Sequence, residues 1–218
     1  MNDELNRIPA GWGIDLSGPQ LKKILVFAGE LKAGNSLMNL ISQKDEPQLW
    51  QRHILDSLAA APLLRRLLKP GALIADSGTG AGFPGMPLAA ALEEFVFELL
   101  DSNGKRCAFL GRAAAAMQIS NASVFQRRVG EGPRRPRYDA VIERAMGQLE
   151  NILPQCLNML MEGGVFLAWQ SAAQLAAPRQ KLVQVMRKAH AEILEKLSYR
   201  LPGEQEDRFI VVFRKQPR

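Results

Sequence analysis

From Ala72 to the end of the chain, short apolar runs alternate with helical stretches, and this alternation limits the fold more than any other feature. ALIAD (72–76), FVFELLD (95–101), ASVFQRRV (122–129), YDAVIERA (138–145) and VFLAWQ (165–170) read as strands. The intervening helices are predicted over FPGMPLAAALE (83–93), GKRCAFLGRAAAAMQI (104–119), residues 148–161 with Gly163-Gly164 as their stop, and most of 174–191. Such an order gives an α/β sheet, parallel at its centre. EILEKLSYRLP and EDRFIVVFRKQ add a terminal antiparallel pair.

The first 70 residues have a different texture. Residues 17–33 predict a helix, with Ser17 as cap, Pro19 in the first turn, and Leu21, Ile24, Leu25, Ala28 and Leu31 in one apolar stripe. A second helix is predicted from about Glu46 to Leu68, kinked or split at Pro62. Lys69-Pro70-Gly71 then punctuates the chain. The expected organisation is therefore a helical extension (1–70) followed by a Rossmann-like domain (71–218).

The loop after the first strand, ADSGTGAGFPGMP (75–87), fits two frames. Counted from Gly80 to Gly85 it is G-x-G-x-x-G, a dinucleotide pattern in which backbone N–H groups hold a pyrophosphate. Counted from Asp76 it is acid-x-G-x-G-x-G, with Gly78, Gly80 and Gly82 as its glycines. Both frames expect a ribose-binding carboxylate at the end of the second strand, where Asp101 stands. Asp76 discriminates between them: a carboxylate before the first glycine repels a pyrophosphate and suits the ammonium group of S-adenosylmethionine. Gly85 is expected to ease helix packing.

Charge points to a polyanionic partner. Lys105 to Arg144 holds nine cations against three anions, an excess equal to the chain's net charge of +6. Eight of the nine are arginine, which contacts phosphate bidentately. Cys107 and Cys156 are far apart in apolar helical contexts and read as buried free thiols; with His53 and His190 they offer no metal-ligand spacing. No apolar run is long enough to span a membrane, and no signal core opens the chain, so a cytoplasmic, monomeric protein is the default expectation. On the helix 46–68, His53 is expected to be structural or a docking contact, Trp50 to be core or interface, and Asp56 and Ser57 to bond locally.

Three stretches together, Arg52-His53-Ile54-Leu55-Asp56-Ser57-Leu58, Asp76 to Leu88, and Leu100-Asp101-Ser102-Asn103-Gly104-Lys105-Arg106, resemble the glucose-inhibited division protein B family. That family methylates N-7 of a guanine in bacterial small-subunit ribosomal RNA. The resemblance implies a class I methyltransferase fold with a mostly parallel seven-stranded sheet. It implies S-adenosylmethionine as cofactor, and ribosomal RNA or the assembling 30S subunit as partner. It also implies that Gly78 and Phe83 touch the donor, that Asp76, Gly80 and Gly82 shape its pocket, and that Asp101 holds the ribose. Val129 and Gly130 flank the adenine, Arg144 lies near donor and target base as the catalytic residue, and Lys105 and Arg106 face the RNA. From the basic window, Arg127, Arg128, Arg134 and Arg135 are the candidate further RNA contacts. Against the family pattern, this chain has Ser77, Gly130, Glu143, Gln170 and Ser171 where other residues are usual. A dinucleotide oxidoreductase and a non-catalytic donor- or RNA-binding module are the other two readings of the chain.

Overall fold

The computed structural model describes residues 8–129, 137–176 and 180–216. Helix α1 (Gly18–Met38) opens with a capping box: the Ser17 hydroxyl accepts from the Gln20 N–H, and the Gln20 side chain accepts from the Ser17 N–H at 2.9 Å. It runs past the predicted end to Asn39, which terminates it in the left-handed region. Its buried face is Leu21, Ile24, Phe27, Leu31 and Asn35; Leu25 and Ala28 of the predicted stripe pack half-buried against the same core, and Phe27 joins it. Burial of each of the large apolar side chains Leu21, Ile24, Phe27 and Leu31 contributes about 1.5–3 kcal/mol.

The predicted helix over 46–68 is broken. A 3-10 turn (Glu46–Gln48) and a π-helical turn (Trp50–Leu55) lead into the short α2 (Asp56–Leu58), and α3 (Ala61–Leu67) starts afresh. Pro62 lacks an N–H to donate and sits in the first turn of α3, where none is needed, so the break falls at Ala59-Ala60.

The remaining elements are β1 (Leu73–Ser77), α4 (Gly85–Ala91), β2 (Val96–Asp101), α5 (Gly104–Met117), β3 (Ala122–Gln126), β4 (Tyr138–Glu143), α6 (Leu149–Met159), β5 (Leu160–Ser171), α7 (Ala172–Ala176), α8 (Gln180–Lys188), β6 (Ala191–Tyr199) and β7 (Arg208–Lys215). They form one seven-stranded sheet in the order β3-β2-β1-β4-β5-β7-β6. β1 pairs in parallel with β2 and β4, and β7 is antiparallel to β5 and β6. Strand β5 begins at Leu160, so Gly163-Gly164 bends a strand instead of stopping a helix. A Cβ at Gly164 would lie 3.1 Å from the Asp139 carbonyl oxygen.

The helical extension and one face of the sheet share a core: Leu21, Ile24 and Ile54 pack in the same cluster as Leu99 and Val212. In the order β3-β2-β1-β4 the strand sequence reverses between β1 and β4. Open α/β sheets bind ligands at such a switch point.

Candidate functional site

Two strand-end carboxylates hold the glycine loop. Asp76 Oδ2 accepts from the Thr79 hydroxyl at 2.6 Å and from the Gly85 N–H at 2.7 Å. Asp101 Oδ2 accepts from the Gly80 N–H at 2.9 Å, while its Oδ1 accepts from the Asn103 N–H. The Thr79 N–H reaches the Leu100 carbonyl oxygen. Gly78 (φ 67°) and Gly80 (φ 58°) lie in the left-handed region that favours glycine.

Asp76, expected to serve a ligand ammonium directly or through water, is wholly buried, and its Oδ1 has no partner among the described residues. It lies under the N-terminus of α4 and acts on the site through the loop it shapes. Burial, with the nearby Asp101 charge adding, raises its pKa to about 7 against the bonds from Thr79 and Gly85 and the Arg144 charge. Gly82, expected to shape the donor pocket, is closely packed on its Cβ side. A Cβ there would lie within 3.0 Å of Met86, Leu110 and Phe27, so this glycine serves packing. A Cβ at Gly80 would meet only the Gly78 carbonyl oxygen, at 3.9 Å, and the Met146 thioether lies against Gly78.

Phe83 is buried, with its ring centroid 5.4 Å from Phe27 and 5.0 Å from His53. The Arg144 guanidinium lies 5.0 Å from the same ring. Arg144 Nη1 donates to Asp56 Oδ2 at 2.8 Å and to the Arg52 carbonyl oxygen at 3.4 Å, and Nη2 bonds His53 Nδ1 at 2.9 Å. Burial first, then the Arg144 charge, lowers the His53 pKa to about 4, so at neutral pH the ring is uncharged and Nδ1 accepts. These bonds use three of the five guanidinium N–H groups. Nε–H and the second Nη2 proton have no partner among the described residues. On its other side Arg144 lines a cleft of about 600 Å³, together with Arg52, His53, Gln170 and Arg208.

Asp56 was expected to bond locally and does the opposite. Its carboxylate gathers Arg144, Arg208 and the Tyr199 hydroxyl, and its carbonyl oxygen accepts from Trp169 Nε1. Ser57 does bond locally, to the His53 carbonyl oxygen. Neither Tyr199 nor Arg208 was singled out in the sequence. A buried acid in "RHILDSL" was the signal available, because a buried carboxylate needs cations from somewhere.

Glu143, beside Arg144, is also buried and accepts from the Met146 N–H at 3.0 Å. Burial, with the Asp76 charge adding, raises its pKa to about 7 against the Met146 bond. An unfolded glutamate ionises near 4.5, so the stability this group contributes is complete below that pH and lost as pH rises through about 7. Glu143→Gln keeps the acceptor and removes the titration. Its melting temperature should fall less than that of the unmodified protein between pH 5 and pH 8. Parallel melting curves for the two proteins would contradict this assignment.

Of the expected RNA contacts, Lys105 is exposed at the start of α5 and Arg106 stands 3.7 Å from Asp101. Arg127 stacks over Phe125 at 5.9 Å, and Arg128 is exposed. These four follow β2 and β3 on the same sheet edge as the loop, and Val129 follows them, half-buried. Arg137, counted in the basic window, turns to the buried Glu98 and the Tyr138 ring. Gly130, Arg134 and Arg135 lie outside the described residues. Cys156 is buried as expected; Cys107 is only half-buried, its thiol against the Asp101 carbonyl oxygen.

The family model of rRNA small subunit methyltransferase G matches residues 20–201. The chain is 34% identical over 214 residues to the ribosomal RNA small subunit methyltransferase G of Salmonella arizonae, covering 98% of each. It is 32% identical over the same length to the protein of that name from Klebsiella pneumoniae, again covering 98% of each. Among solved structures, a putative class I S-adenosylmethionine-dependent methyltransferase from Listeria monocytogenes has a TM-score of 0.66 at 14% identity, covering 89% of this chain and 69% of that one. An S-adenosylmethionine-dependent O-methyltransferase from Thermotoga maritima has a TM-score of 0.57 at 17% identity, covering 86% and 72%. The fold is that of the class I methyltransferases.

Proposed function

We propose that this chain, which belongs to the rRNA small subunit methyltransferase G family, methylates N-7 of a guanine in small-subunit ribosomal RNA, with S-adenosylmethionine as donor. One observation carries the reading. Arg144 spans from the ring of Phe83, in the glycine loop, to the polar cleft beside it, so a single guanidinium addresses both a donor site and a substrate site.

The residues fit the donor. Gly78 and Gly80 form a cradle without side chains, and beside Gly78 the space a Cβ would take is held by a flexible methionine. Asp101 stands at the end of β2, where a ribose is held in such folds. Gly78, Gly80, Phe83 and Asp101 would hold the donor, and Val129 would border the adenine. Once bound, S-adenosylmethionine supplies an electrophilic methyl group on a sulfonium.

The chain's own contribution is placement. N-7 of guanine has an exposed lone pair and no proton to lose, so no general base is required. The work lies in alignment and electrostatics. Arg144, through the N–H groups that have no partner among the described residues, would orient the nucleotide by the guanine carbonyl oxygen or a phosphate. Lys105, Arg106, Arg127 and Arg128 would guide the RNA backbone to that edge.

Mapping N-7 methylguanine in small-subunit ribosomal RNA from a strain deleted for this gene tests the reading. One position should lose its modification and regain it on complementation; an unchanged map would overturn it. Whether naked RNA or the assembling subunit is the substrate follows from offering both to the protein. We read the protein as a cytoplasmic monomer; among the described residues, no helix is long and apolar enough to cross a membrane. RNA affinity should fall steeply with salt. Replacing Lys105, Arg127 and Arg128 together by glutamine should flatten that slope by about three, close to one for each phosphate no longer neutralised. Equal slopes would remove these residues from the interface.

A further inference from the structure

We propose that Asp56 is a positioning residue for methyl transfer, fixing through its ion pair the face that Arg144 presents between loop and cleft. The proposal rests on the functional reading above. Asp56 is 1% exposed and belongs to the helical extension, whereas its partners come from the sheet. Arg144 follows β4, Trp169 lies in β5, Tyr199 ends β6 and Arg208 begins β7.

The two carboxylate oxygens have separate tasks. Oδ1 takes the Tyr199 hydroxyl at 2.6 Å and Arg208 at 3.2 Å, which ties the extension to the antiparallel edge. Oδ2 takes Arg144 at 2.8 Å. An arginine has a long, rotamer-rich side chain, and an ordered guanidinium needs partners on more than one side. Phe83 supports the face of Arg144, and His53 takes one N–H of Nη2. Among the described residues, Asp56 supplies its one anionic partner at hydrogen-bonding distance. Without that anion, only His53, the Arg52 carbonyl oxygen and the Phe83 ring hold the guanidinium, and the direction of the N–H groups offered to the nucleotide loosens. The acid of "RHILDSL" thereby acquires a role in the reaction that lies beyond its role in docking.

The experiment compares wild type, Asp56→Asn, Arg144→Ala and the double variant in single-turnover methyl transfer to 30S subunits and naked ribosomal RNA, with S-adenosylhomocysteine affinity from calorimetry. Asp56→Asn should lower the rate of transfer by about 10–100-fold, the usual effect of losing a group that orients a functional side chain. S-adenosylhomocysteine affinity should stay within about threefold, because none of the Asp56 bonds reaches the glycine loop. In the Arg144→Ala background the same change should cost nothing further in rate, since Asp56 acts through Arg144. A purely structural Asp56 predicts that rate and donor affinity fall together, and that the two losses multiply; either result overturns the proposal. So does an Asp56→Asn protein as fast as wild type. Should Asp56→Asn fail to fold, Asp56→Glu, which keeps the charge but moves it by one methylene, carries the same comparison and should show the same split. A wild-type protein inactive on both substrates removes the functional reading itself, and this proposal with it.

Discussion

Replacing Arg144 by alanine should lower methyl-transfer turnover by about 10²–10³-fold, the usual effect of removing a preorganised donor from a reaction centre. Donor affinity should change by only a few-fold. The loop that would hold the donor is fastened by Asp76 and Asp101, and neither carboxylate takes a hydrogen bond from Arg144. The fold should survive, because Asp56 keeps Arg208 and Tyr199 as partners. The stability loss is therefore smaller than the roughly 3–5 kcal/mol that follows when a buried charge loses its only partner. Arg144→Lys should recover little, since a lysine ammonium cannot bond Asp56 and His53 and still offer a fork. Single-turnover rates beside S-adenosylhomocysteine titrations check the split. A variant that turns over at the wild-type rate, or one whose whole loss lies in donor affinity, would remove Arg144 from the reaction.

Much of this arrangement was legible in the sequence, for identifiable reasons. Strand–helix alternation, the acid before the glycines and Asp101 are local patterns, and the backbone geometry they demand is local too. Gly85 was legible for the same reason: a glycine at the start of a helix that follows a strand closely reads as a packing residue. Asp56 was not legible as the centre of a network. Its partners lie 88, 143 and 152 residues away, and no periodicity encodes which distant side chains will converge on a buried carboxylate. The place of Asp76 at the mouth of the loop was legible, but its inward direction was not, because a sequence does not say which side of a strand end a carboxylate faces. The break in the helix over 46–68 was half legible. Pro62 announced it, whereas the π-helical turn that carries Arg52 and His53 towards Arg144 follows from tertiary contacts.

Gly85→Ala should be among the most damaging single-methyl additions in the molecule. A Cβ there would stand 2.3 Å from Leu99 Cδ2, 2.5 Å from Asp76 Oδ2 and 3.0 Å from Asp76 Cβ. Leu99 and Asp76 are wholly buried, so neither can yield into solvent. Helix α4 must then lift from the sheet, and the Gly85 N–H bond to Asp76 lengthens or breaks. That leaves a buried carboxyl oxygen with only Thr79, beside an Oδ1 that already lacks a partner among the described residues. Overpacking of about 1–3 kcal/mol and a lost hydrogen bond of about 1.5–3 kcal/mol act together. A total of about 2.5–6 kcal/mol lowers Tm by about 5–24 °C for a chain of this length. Because Asp76 fastens the loop, S-adenosylhomocysteine affinity should fall with it, by roughly tenfold or more. Gly111→Ala supplies the opposite sign in the same assay. Gly111 is an exposed position within α5 where a Cβ meets nothing within 4 Å, so the change should stabilise by about 1 kcal/mol through helix propensity alone. If Gly85→Ala melts with the wild type and binds S-adenosylhomocysteine as well, the contact of α4 with Asp76 does not hold the loop.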